Sequence, residues 1–163
     1  MTEQVCAQSM AEMLLGQPEL ALVTVAQLEN LDLAFNDGND VRALAHLALG
    51  DTDTAVASIR RFAIRAAVGV LPGESNDAML LLASLALHQG DDDAARRFLL
   101  NAGSARMPST RGASRHLARQ LGIADAHAAD IAALYLPDNQ HGPMGATRSM
   151  NALRAELTRR AWI

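Results

Sequence analysis

The chain has 163 residues, half of them apolar and 3% aromatic, with a formal net charge of −4. At this length folding removes roughly two-thirds of the unfolded chain's surface from water, which is enough for one self-supporting core. One cysteine (Cys6) rules out an internal disulfide, and there is neither a leader-like start nor a run of about 18 apolar residues to span a membrane, so the expected compartment is the cytoplasm.

Apolar residues recur at helical spacing along nearly the whole chain, and the breaks fall where Gly, Pro, Asn and Asp gather. The pattern predicts helices over 3–15, 18–30, 40–49, 52–69, 76–89, 92–102, 110–121, 124–134 and 145–162. Pro18 suits the first turn of the second helix, where its missing N–H has no intrahelical partner to lose. Asp51 and Asp91 stand at helix starts, where a carboxylate receives free N–H groups and meets the positive end of the helix dipole.

Three of the turns share one spelling. Gly16, Gly50 and Gly90 are each followed five residues later by an alanine, Ala21, Ala55 and Ala95, and four residues after that by Val25, Ile59 and Leu99. The glycine lets the chain take positive φ at a helix end, and the alanine lets the next helix fold back closely, giving an antiparallel hairpin. The larger third residue fills the space between hairpins. The glycines are 34 and then 40 residues apart, the second interval being lengthened by the insertion-like stretch 71–77. An interval of about 34 residues is the period of the tetratricopeptide repeat.

On these turns the chain resembles a tetratricopeptide-type right-handed α-solenoid, clearest over 3–103, with a weaker repeat around Gly122 to Leu134. The family's first-helix aromatics are replaced here, for example by His46 and Ala86. The resemblance implies a concave side built from the first helix of each hairpin, with Asn39, Arg42, His46, Met79, Ala83 and Ala86 as candidate partner-binding residues. It also implies a non-catalytic scaffold that binds a protein or peptide. A fainter similarity of style, without a diagnostic motif, is to the helical-repeat region of large actinobacterial ATPase-type (LuxR-like) transcription regulators, which would make the chain a detached regulatory segment.

Beyond residue 134 the repeat gives way to a turn-rich connector and a last helix with Met150, Leu153, Leu157 and Ala161 along one face. The expected organisation is therefore an all-α repeat domain over 1–134, then a connector and a capping helix over 135–163 that covers the open end of the array.

Candidate chemistry is sparse. The five histidines (46, 88, 116, 127 and 141) lack paired metal-ligand spacing, although His46 and His88 occupy similar places and could share a groove. Asp91–Asp93 lacks the alternating ligands and terminal Glu of a calcium loop, and there is no lysine for a phosphate loop. No metal, cofactor or catalytic residue is expected.

Charge is divided unevenly: residues 1–95 carry 14 acids and 4 arginines, residues 96–163 carry 4 acids and 10 arginines. Such a chain can pair its own halves, stack on copies of itself as a homo-oligomer, or offer its basic end to an acidic partner. Arg111, Arg115 and Arg119 form a candidate basic patch at four-residue spacing; few aromatics and an acidic net charge argue against nucleic acid there.

Overall fold

The computed structural model describes residues 2–28, 38–68, 74–102, 117, 121–122 and 143–163. Among the described residues the chain is all-helical: α1 (Thr2–Leu14), α2 (Pro18–Ala26), α3 (Asn39–Ala48), α4 (Thr52–Val68), α5 (Glu74–His88), α6 (Asp92–Asn101) and α7 (Pro143–Arg159). The helices predicted over 110–121 and 124–134 lie almost wholly outside the described residues, as does the connector.

The three repeated turns close in one way. Gln17, Asp51 and Asp91 each donate their backbone N–H to the carbonyl five residues back, on Glu12, His46 and Ala86, all at 2.9 Å. The glycine before each donates three residues back, so the turn satisfies carbonyls that the helix end would leave open. That geometry requires positive φ, and Gly50 has φ +76 with open space where a Cβ would stand. Asp51 and Asp91 then cap the next helix, accepting from the N–H of Thr54 (3.2 Å) and Ala94 (3.0 Å). Pro18 occupies the start of α2 as its chemistry predicts.

Each turn folds two helices against each other: α1 with α2, α3 with α4, α5 with α6. Ala21, Ala55 and Ala95 are fully buried, and so are Val25, Ile59 and Leu99. The pairs also meet one another, α2 with α3 and α4 with α5, while α1, α3 and α5 pack in succession. Cys6 is a buried core residue, and the most enclosed helix is α5.

Two elements depart from the expectation. α2 ends at Ala26 because Gln27 and Leu28 donate only three residues back, to Thr24 and Val25, which tightens the chain out of the α-helix. Within the stretch 71–77, Glu74 to Asp77 form the buried first turn of α5, where acidic and small polar side chains favour a helix start.

α7 lies against α5 and α4 and touches α6. Ser149 and Ser75 share a hydrogen bond of 2.8 Å, and the Arg154 guanidinium donates twice, at 3.1 and 3.0 Å, to the Ala67 carbonyl at the end of α4. At the other end, Trp162 lines a depression with Val56, Arg60 and Ile64 of α4. α7 therefore runs alongside α5 in the same direction and opposite to α4, with Leu153 and Leu157 fully buried. Among the described residues α7 lies along α4 and α5 and meets α6.

Candidate partner-binding groove

A cavity of about 550 Å³ opens along α1, α3 and α5. From α3 come Leu44, Leu47 and Ala48, which stand six, three and two residues before Gly50. The same registers before Gly90 supply Ser84, Leu87 and His88. On α1 the two registers nearest Gly16 supply Met13 and Leu14, while the third, Met10, is buried. Leu117 lines the groove as well, and Gly16 brings it to the edge where the turns lie.

The repetition follows from helix geometry. At 3.6 residues per turn, positions six, three and two before a common endpoint share one side of a helix. The same registers on α3 and α5, and two of them on α1, therefore line one cavity. Its chemistry changes along its length, from aliphatic on α1 and α3 to Ser84 and His88 on α5. Ser84 donates to the Leu80 carbonyl at 3.1 Å, which satisfies its hydroxyl within the helix.

The six residues expected at the binding face divide. Met79, Ala83 and Ala86 are core residues, none more than 2% exposed, and are not among the residues that line this cavity. They stand on α5 in registers turned away from the cavity. Asn39, Arg42 and His46 are half-buried and serve local structure: Arg42 bonds the Asn39 side chain and the Val25 carbonyl of α2, both at 3.3 Å. The His46 imidazole lies 3.2 Å from the Asp51 carboxylate. His46 and His88 do not share the groove, because His46 stands four residues before its glycine and His88 two before its own, registers about 160° apart around a helix. The candidate basic patch of Arg111, Arg115 and Arg119 lies outside the described residues.

Electrostatics are concentrated at the turns and at the end of α7. The carboxyl of Asp51 is held below its ordinary range first by hydrogen bonds from Thr54 and then by His46. Partial burial pushes the Glu156 carboxyl up, but hydrogen bonds from Arg159 and Arg160, at 2.6 Å each to one oxygen, outweigh it and leave the group lowered. Arg160 also covers the Trp162 ring at 5.2 Å, fixing the end of the helix.

Among the described residues no group of three or more His, Cys, Asp or Glu is placed to hold a metal ion, and no helix is long and apolar enough to cross a membrane. No protein-family model, no curated protein and no solved structure matches this chain.

Proposed function

We propose that the chain is a non-catalytic interaction module, a tetratricopeptide-like stack of helical hairpins that binds a segment of another protein along α1, α3 and α5. One observation carries this reading: the same registers in three successive hairpins line a single open, largely apolar groove. An apolar surface of this kind gains free energy when covered, at about 25 cal/mol for each Å² removed from water. An extended or helical segment can use the regular spacing of the three helices, which repeat-built surfaces offer along their length.

The test is affinity capture with the wild-type chain beside Leu14→Asp and Leu87→Asp, both at half-buried groove positions, with helicity followed by circular dichroism. The reading predicts a partner that both variants lose while remaining helical. A partner held equally by helical variants would remove the groove from consideration.

A further inference from the structure

The apolar groove meets a border of negative charge. It reaches the turn edge at Gly16, Ala48 and His88, and carboxylates follow those turns directly: Asp51 at the second, and Asp91, Asp92 and Asp93 at the third, all of them exposed. Glu19 adds one at the first turn. The carbonyl ends of α1, α3 and α5 at this edge are offset by the N–H ends of α2, α4 and α6, so the carboxylates themselves carry its charge. Among the described residues Arg96 sits 3.8 Å from Asp93, Arg159 feels Asp91 at a distance, and the His46 imidazole stands 3.2 Å from Asp51.

We infer that the occupant of the groove is a basic amphipathic segment, with aliphatic side chains of leucine or methionine size seated in the groove and flanking lysines or arginines facing the turn carboxylates. This rests on the proposed interaction function and narrows it to a class of partner. The apolar contacts supply the affinity, and the exposed charges supply selectivity and a faster encounter that salt suppresses. Acidic segments are excluded by repulsion at the same border.

Three labelled peptides with one leucine pattern and flanks of lysine, glutamine or glutamate test this by fluorescence anisotropy with the full chain. The lysine peptide is expected to bind about tenfold tighter than the glutamate peptide at low salt, with the difference collapsing at about 0.5 M salt, where charges are screened within a few ångströms. The double variant Asp92→Asn, Asp93→Asn spares the capping Asp51 and Asp91, and it is expected to narrow that difference without weakening the glutamine peptide. Equal binding of all three peptides, lost in Leu87→Asp, would overturn the basic-partner inference and leave the groove reading standing. Binding by none would overturn both. Sedimentation of the chain alone supplies the last arm, since a salt-sensitive dimer whose assembly the lysine peptide competes away would make the occupant a second copy.

Discussion

At the scale of single residues, Asp51 is the clearest case of one side chain serving two helices. Its backbone N–H closes the end of α3 by bonding the His46 carbonyl, and its carboxylate caps α4 at Thr54 while facing the His46 ring. The folded carboxyl titrates below its ordinary value of 3.8. A lowered folded pKa contributes stability that is present above the unfolded value and is lost as pH falls through the folded one. Replacing Asp51 by Ala is therefore expected to lower the melting temperature by a few degrees at neutral pH, and Asp51→Asn, which retains a capping oxygen, to lower it less. The advantage of wild type over Asp51→Asn should fade as pH drops below 3.8. Thermal melts across pH decide this, and an unchanging difference would show that the carboxylate's charge contributes nothing.

At the scale of elements, the docking of α7 separates what periodicity reveals from what only packing decides. The turns, caps and buried Ala and Val, Ile or Leu positions of the first three hairpins are legible in the sequence because each is a local requirement: a positive φ, a free N–H group, a close helix approach. The apolar face of α7 is legible for the same reason. Its address is not, since Ser149, Leu153 and Leu157 state a need for cover without naming the helix that supplies it. The hydrogen bond between Ser149 and Ser75 ties that address to α5. Ser149→Ala alone is expected to destabilise by about 1–2 kcal/mol, and a double-mutant cycle with Ser75→Ala should give a coupling of about 1 kcal/mol, because removing both hydroxyls leaves fewer buried groups wanting a partner. Chemical denaturation measures both; additive effects would show that the two serines do not act together.

The same contrast explains the groove. Polar Asn39, Arg42 and His46 suggest a solvent-facing stripe, yet Arg42 turns to the Val25 carbonyl and His46 to Asp51, so their polarity is spent within the fold. Leu44 and Leu47 are core residues, as their side chains suggest, and together with the half-buried Leu87 they also border the opening. Polarity tells burial from exposure and does not say which buried residues border a cavity. Counting back from the turn glycines adds that information, because the count measures rotation about each helix.

At the scale of the whole molecule, the helices differ in how many neighbours hold them, and local stability should follow. α5 packs against α3, α4, α6 and α7, and twelve of its fifteen residues are buried. α2 meets α1 and α3, buries only Ala21, Thr24 and Val25, and leaves Leu20 and Val23 exposed at 46% and 67%. In a chain of helices held mainly by adjacent ones, opening starts where the fewest interfaces must break and reaches the best-enclosed helix last. Hydrogen exchange followed by mass spectrometry should therefore find the amides of α2 exchanging first among the six helices of the hairpins and those of α5 last, with α4 between them because α7 covers part of it. Destabilising α7 through Leu157→Ala, a buried truncation that typically costs about 2–5 kcal/mol, should speed exchange in α4 and α5 while leaving α2 nearly unchanged. If α2 and α5 instead exchange together, and Leu157→Ala accelerates them equally, the molecule opens as one cooperative unit and the graded account of its stability fails. The graded outcome would also place the groove across both regimes, its α1 rung yielding more readily than the α5 rung beside His88.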